Sequence, residues 1–334
     1  LPALSAGAAL SAAARKARLV RAYLQGAPVH CTWQLSPRCE SFCHLCDYRA
    51  ESASDELDAA GCARVCEALG REGSLLVSFT GSEPFLRADL PEIVAAVARR
   101  HFPLLVTNGC LVTPSAAKAV WEAGLEVATV ALEDADAARH DAGTGLPGSH
   151  RRAVDALSAL AQARTRRSQR VNVRTRLRSA DLDGLAELLP LAARHGASVT
   201  LEAAFPLPQL DGQAERVVAR LRALKREHGH LRTSDPVIER LGAALSGGVP
   251  GCLAGRAFFN VDQRGRVSKC LEFRQPADRV GALTEQALSD VRPRLRELAA
   301  ANDCRACFYA SRAEVETLYT LRGFLDGLRT LVRA

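Results

Sequence analysis

The segment "LSPRCESFCHLCDYRAE" (35–51) spaces three cysteines as Cys39, Cys43 and Cys46, and the next cysteine downstream is Cys62. Thiolates are soft ligands, so such a set selects zinc, copper(I) or an iron-sulfur cluster. A closed zinc site takes four ligands and would recruit His44 or a further cysteine. Three thiolates alone suit a four-iron cluster that keeps one iron open. A second set occupies the tail: Cys252 and Cys270, then, after a long gap, Cys304 and Cys307 in "CRAC". Four thiolates flanking a hairpin and a helix hold either zinc or a closed four-iron cluster.

Eleven cysteines in 334 residues would mean disulfides in an oxidising compartment. However, no apolar run reaches the roughly 18 residues of a membrane span. The alanine-rich start (1–14) also lacks the order of a secretory signal. We therefore expect a cytoplasmic protein whose cysteines serve metal or catalysis.

The elements that must position these thiols are legible as a rhythm. Short apolar runs, "HCTWQL" (30–35), "LLVSF" (75–79), "PLLVT" (103–107), "VATVAL" (127–132), "VNVRTRL" (171–177) and "SVTLEA" (198–203), alternate with longer helical patterns. Strand-helix units in series predict a parallel sheet. Thr113 caps, Pro114 opens and Gly124 ends the helix between the third and fourth runs, and Asp181 and Gly196 bracket a later one. After "FPLPQLDGQ" and a charged helix (215–228), the glycine-rich joint "SGGVPG" (246–251) reads as a boundary. Beyond it, "AFFNVDQRGRVSKC" (257–270) reads as two strands turning at Gly265, followed by helix.

Placed after the first strand of such a series, Cys39-x3-Cys43-x2-Cys46 resembles the signature of the radical SAM superfamily. "SFTGSEPFLRADL" after the second strand is similar to that family's Gly-Gly-Glu-Pro segment, here Gly81, Ser82, Glu83 and Pro84. "TNG", Thr107, Asn108 and Gly109, ends the third strand as it commonly does there. The resemblance covers roughly residues 28 to 310. It implies a partial (β/α)6 TIM barrel with its site at the C-terminal strand ends. It also implies S-adenosylmethionine chelated by the open iron, with its methionine ammonium received by the Gly81–Pro84 segment, and reductive cleavage to a 5'-deoxyadenosyl radical. Three positions depart from the pattern. Leu45 replaces an aromatic, Ser82 replaces the second glycine, and Ala131, Leu132 and Glu133 stand where Ser-Leu-Asp is frequent.

Joined to such a core, the tail resembles the twitch form of the SPASM domain. This implies an auxiliary four-iron cluster on Cys252, Cys270, Cys304 and Cys307, with a spacing like that of aminocyclitol dehydrogenases. The expected division is a basic amphipathic helix (1–27), the radical SAM barrel (28–205), a helical linker (206–251) and a small α+β auxiliary domain (252–334).

Other residues have plainer readings. Cys31, Cys62 and Cys66 read as small hydrophobes in the core. Cys110, following "TNG", either lines the site or donates a hydrogen atom to a product radical. Asn172, Arg174, Arg176 and Arg178 share one face of their strand. If that face points inward, Arg174 or Arg176 could pair the SAM carboxylate or an anionic substrate group. Arg15, Lys16, Arg18 and Arg21 on the first helix either pack beneath the barrel or touch an anionic membrane surface. A net charge of +7 is partly offset by anionic clusters, and 5% aromatics with no binding signature argues against nucleic acid.

The reading as a whole is a radical SAM oxidoreductase that abstracts hydrogen from a small molecule or peptide. Dehydrogenation, epimerisation and peptide crosslinking are all open, and an external donor such as flavodoxin or ferredoxin is implied. No leader-peptide-binding segment is recognisable. The rival reading is a non-catalytic zinc or iron-sulfur scaffold on a degenerate barrel.

Overall fold

The computed structural model describes residues 9–41, 43, 56–71, 73–177, 182–203, 212–249, 251–272, 275–305 and 307–320. Cys46, Leu45, Arg178 and Asp181 lie outside them. Six strands, β1 (His30–Ser36), β2 (Leu76–Gly81), β3 (Phe102–Thr107), β4 (Val127–Ala131), β5 (Arg170–Leu177) and β6 (Ser198–Ala203), pair in parallel in sequence order. Each agrees with its apolar run to within a residue or two.

Crossover helices cover one face: α2 (Ala59–Gly70), α3 (Leu90–Ala98), α4 (Pro114–Glu122), α5 (Ala137–Thr144), α6 (Ser149–Gln162) and α7 (Asp183–Arg194). Alternate residues of the strands point at these helices. Trp33, Val77, Phe79, Leu105, Val130 and Val173 are buried in one core with Val65, Ile93, Leu157 and Leu188. Each such burial contributes roughly 1.5–3 kcal/mol. Cys31 and Cys62 are fully buried in this core and Cys66 packs against it, as small hydrophobes do. The opposite face, turned away from the helices, is polar. It carries Thr32 beside Ser78 and Thr129 beside Asn172, with Arg174 and Arg176 further along β5.

Local chemistry fixes the helix ends. Thr113 accepts the Ala116 N–H at 3.1 Å at the start of α4, and Gly124 follows its end at φ +104°, where a side chain would be strained. The basic first helix α1 (Ala12–Leu24) packs under the barrel. Arg15 donates to the Ala98 and His101 carbonyls and pairs Glu126 at 3.2 Å, and Arg18 reaches the Gly70 carbonyl. The acceptors of Arg15 lie beside the N-terminal ends of β3 and β4, so Arg15 and Arg18 are engaged by the protein itself.

The tail is less separate than the glycine-rich joint suggests. After α8 (Ala214–Glu227) and α9 (Asp235–Gly247), β7 (Phe258–Val261) pairs in parallel with β1, and β8 (Arg266–Ser268) and β9 (Arg279–Ala282) continue antiparallel. One sheet in the order β6-β5-β4-β3-β2-β1-β7-β8-β9 therefore crosses the joint. After α10 (Leu288–Ala300), Phe308 forms an antiparallel bridge with Ala203 at the end of β6, just before α11 (Ala310–Leu318). The tail thus touches both edges of the parallel sheet, at β1 and at β6. Among the described residues no helix is long and apolar enough to cross a membrane.

Candidate functional site

Three segments converge at the C-terminal ends of β1, β2 and β3. Gly81 closes β2 against β1 at φ +104°, and a Cβ there would lie 3.1 Å from Gln34 Cβ and 3.2 Å from the Ser36 carbonyl. Glycine is required there for both reasons. The chain then stitches itself to the cysteine segment: Ser82 N–H donates to the Ser36 carbonyl at 3.3 Å and Glu83 N–H to the Arg38 carbonyl at 2.9 Å.

The Glu83 side chain is 1% exposed and holds the segments together. Its carboxylate accepts the Phe85 N–H (3.0 Å), which caps the 3-10 turn at Pro84, the Thr107 hydroxyl (2.9 Å) and the Asn108 N–H (2.8 Å). Asn108 Nδ2 in turn donates to Glu40 (2.9 Å) and Ser41 (3.2 Å) and lies 3.8 Å from the Cys39 sulfur. Gly109 packs onto α6, where a Cβ would come 3.0 Å from Ala153. Cys39, Gly81–Pro84 and Thr107–Gly109 therefore form one constellation.

Its electrostatics point to a missing cation. Burial pushes the Glu83 carboxyl up to about 7, against the lowering pull of the Phe85 and Asn108 N–H groups, and Glu40 raises it further. None of its three hydrogen-bond donors is a cation. The Ser82 hydroxyl oxygen beside it is buried without a hydrogen-bond partner. A buried anion with no cationic partner among the described residues, next to an orphaned hydroxyl, fits the ammonium end of S-adenosylmethionine. Ser82 is thus tolerated, with its oxygen facing a place for a polar group.

The arginine face of β5 lies on the polar side of the sheet, away from the helices. Arg174 pairs Glu202 at 3.3 Å, and Arg176 pairs Glu133 at 2.6 Å. Both guanidinium groups are met by carboxylates of the chain. Glu133, at the acid position of the Ser-Leu-Asp pattern, is the partner of Arg176. Cys110 is half-buried at the rim, its N–H bonded to Asn108 Oδ1 at 2.8 Å. Burial raises its thiol pKa and a bond from Arg152 opposes that.

The four tail cysteines come together. Cys252, Cys270, Cys304 and Cys307 line one cavity of about 290 Å³, and Thr32 from the polar face of β1 lines it too. Asn302 Nδ2 holds the Cys252 carbonyl at 3.0 Å, and Glu272 N–H points at the Cys270 sulfur at 3.3 Å. Among the described residues no three His, Cys, Asp or Glu side chains are close enough to hold a single ion. Tetrahedral zinc needs thiolates roughly 3.8 Å apart, from its Zn–S distance of about 2.3 Å. Four thiols lining one cavity make a donor set that soft-metal or iron-sulfur chemistry would use. Burial pushes the Cys270 thiol up to about 12 and Cys307 to about 11, so ligation would displace their protons.

Residues 33–189 match the model of the Radical SAM superfamily. Over these residues the chain is similar to a radical SAM domain. An AdoMet-dependent heme synthase of Nitratidesulfovibrio vulgaris is 26% identical over 139 residues, covering 39% of this chain and 36% of the relative. A PqqA peptide cyclase of Methylocella silvestris is 27% identical over 260 residues, 73% of this chain and 68% of the relative. The chain spans about a third of the length of the first curated relatives it matches. Among solved structures, Streptococcus suis SuiB bound to S-adenosylmethionine superposes with a TM-score of 0.62 at 14% identity, covering 83% of this chain and 68% of that one. The enzyme anSMEcpe with bound AdoMet gives 0.63 at 14% identity, covering 92% and 98%. At these identities the structures speak for the fold.

Within the matched region, one residue escaped sequence reading. Glu56 follows the cysteine segment and grips residues that precede it. It accepts from the Ser36 hydroxyl (2.6 Å) and from Arg38 Nε (2.6 Å), and Arg87 Nη1 lies 3.6 Å away. The two ends of the segment are thereby clasped. Nothing in "ESASDELD" signals this, because the partners come from strand β1 and from beyond β2. Glu56→Ala removes charge-assisted bonds worth roughly 1.5–3 kcal/mol. The expected outcome is about ten-fold faster iron loss to a ferrous chelator, with the circular dichroism spectrum unchanged. An unaltered rate would remove Glu56 from cluster retention.

Proposed function

We propose that the chain is a radical SAM enzyme that oxidises or crosslinks a peptide. The reading rests on the buried carboxylate of Glu83, which has no cationic partner among the described residues and is bonded into the same network as Cys39. In it Cys39, Cys43 and Cys46 hold a four-iron cluster with an open iron, and Cys252, Cys270, Cys304 and Cys307 hold a closed auxiliary one. S-adenosylmethionine bound at the open iron supplies a 5'-deoxyadenosyl radical on reduction, the hydrogen-abstracting agent. Glu83 binds the ammonium and, through Thr107 and Asn108, keeps the third strand's end against the cysteine segment. Ser82 offers its free oxygen to the same moiety. Arg174 and Arg176, held by Glu202 and Glu133, keep charged groups on the substrate side of the sheet, and Cys110 lines its rim.

Support for a peptide substrate comes from the relatives. Several are named PqqA peptide cyclase, SuiB was solved with the precursor peptide SuiA, and anSMEcpe with the peptide Kp18Cys. Thr32, shared between the polar face and the tail cavity, places the four-thiol site beside that substrate space. Those thiols are therefore suited to pass on the electron that a substrate radical loses. An external one-electron donor of the flavodoxin or ferredoxin type completes the turnover.

The test is a titration of the anaerobic, cluster-loaded protein with S-adenosylmethionine across pH. Glu83 offsets an ammonium only when ionised, and its carboxyl sits at about 7 in the free protein. Binding therefore favours loss of its proton, and affinity rises with pH through that value before levelling off. Between pH 8 and pH 6 the affinity should fall about ten-fold, following the ionised fraction. Glu83→Gln should weaken binding at pH 8 by roughly 1.5–3 kcal/mol, ten-fold or more, and flatten the pH profile. An unchanged dissociation constant in that variant would remove Glu83 from the site.

A further inference from the structure

Arg312 is 1% exposed and lines the cavity of the four tail cysteines. Its guanidinium donates to the Cys307 carbonyl at 2.8 Å and to the Val249 carbonyl. One carboxylate, Glu316, serves it: Arg312 Nε lies 3.4 Å away and Arg240 Nη2 2.5 Å away on the same residue. Glu316 also accepts the Leu253 N–H at 2.8 Å, next to Cys252. Among the described residues, Arg312 and the quarter-exposed Arg240 share one glutamate behind Cys252 and Cys307. The other charged lining residue, Glu272, is on the Cys270 side and takes the Tyr309 hydroxyl at 2.9 Å.

A buried cation is costly unless an anion faces it. Arg312 and Glu316 lie in "SRAEVE", an ordinary helical pattern that gives no hint of a site. We propose that Arg312 is the fixed counter-charge of the tail site, positioned to raise the reduction potential of the cluster held there. The inference rests on the auxiliary-cluster reading above. Four thiolates make the cluster a net anion, and each added electron deepens that charge. Arg312 stabilises the reduced form more than the oxidised one, since net charge and hydrogen bonding set such potentials. In the step it favours, a substrate radical loses one electron to the cluster and a proton to solvent. The electron then leaves to the external one-electron carrier. Arg312 touches no substrate and acts as a positioning residue through the cluster.

The test is a potentiometric titration followed by electron paramagnetic resonance, in a chain with Cys39, Cys43 and Cys46 replaced by alanine so that only the tail signal remains. Arg312→Gln should lower the equilibrium constant for reduction about ten-fold or more, a downward shift of about 59 mV for a one-electron couple. Arg312→Lys should restore most of that shift. Glu316→Gln, which removes the neighbouring anion, should move the potential upward. This opposite sign keeps the test decisive should Arg312→Gln fold poorly. A cluster signal whose potential is the same in all four proteins overturns the role of Arg312 and leaves the cluster reading intact. Zinc, or no metal, in the tail site of the unsubstituted chain overturns both.

Discussion

Replacing Cys39, Cys43 and Cys46 together by alanine will abolish cleavage of S-adenosylmethionine and leave the tail site loaded. The expectation follows from the separation of the two thiol sets. Cys39 belongs to the network of Asn108, Glu40 and Glu83 at the ends of β1, β2 and β3. The four tail cysteines line a different cavity, walled by Phe258, Asn302 and Arg312. Iron should fall from about eight per chain to about four, since a four-iron core without its thiolates is not retained. Formation of 5'-deoxyadenosine, followed by chromatography, should drop to the background of the reductant. Turnover that persisted would remove the cysteine segment from the chemistry.

The second large effect is expected at Cys304. Cys304→Ala leaves three thiols around the tail cavity, and the chain should still form 5'-deoxyadenosine while yielding little oxidised peptide. The ratio of product to S-adenosylmethionine consumed, measured by mass spectrometry, separates this from simple loss of activity. Stability should fall with it. The cavity wall is also what seats the tail against the barrel, through the Phe308–Ala203 bridge and the Arg312 bond to the Cys307 carbonyl. Losing a bound inorganic core from such a position costs on the order of several kcal/mol, visible as a lower melting temperature. A variant that oxidises peptide normally would show that the tail site is not the electron acceptor.

How much of this was legible in the sequence follows the range of the interactions. Local signals came through. Short apolar runs gave β1 to β6, the Thr113 hydroxyl and Gly124 gave the ends of α4, and cysteine spacing picked out the four tail cysteines that line one cavity. The glycine-rich joint misled because "SGGVPG" has the composition of a linker, yet β7 beyond it pairs with β1, more than two hundred residues earlier. The strand β9 (Arg279–Ala282) is only four residues long and half-buried, too short for alternation to stand out. Glu56 and Arg312 were missed because a charged residue in a polar stretch reads as solvated. Their burial is set by partners far along the chain. Glu133 read only as part of a departure from Ser-Leu-Asp, and Arg176, placed beside it by the β4–β5 register, shows where its charge is used.

The central claim is that the constellation of Cys39, Glu83 and Asn108 serves the reductive cleavage of S-adenosylmethionine. The most direct measurement is a single-turnover reaction of the anaerobically purified, reduced protein carrying its full iron content, with 5'-deoxyadenosine and methionine counted per chain. About one equivalent of each is expected, lost in the triple alanine variant and reduced at low pH as Glu83 takes up its proton. A protein holding about eight irons that binds S-adenosylmethionine and releases neither product would contradict it.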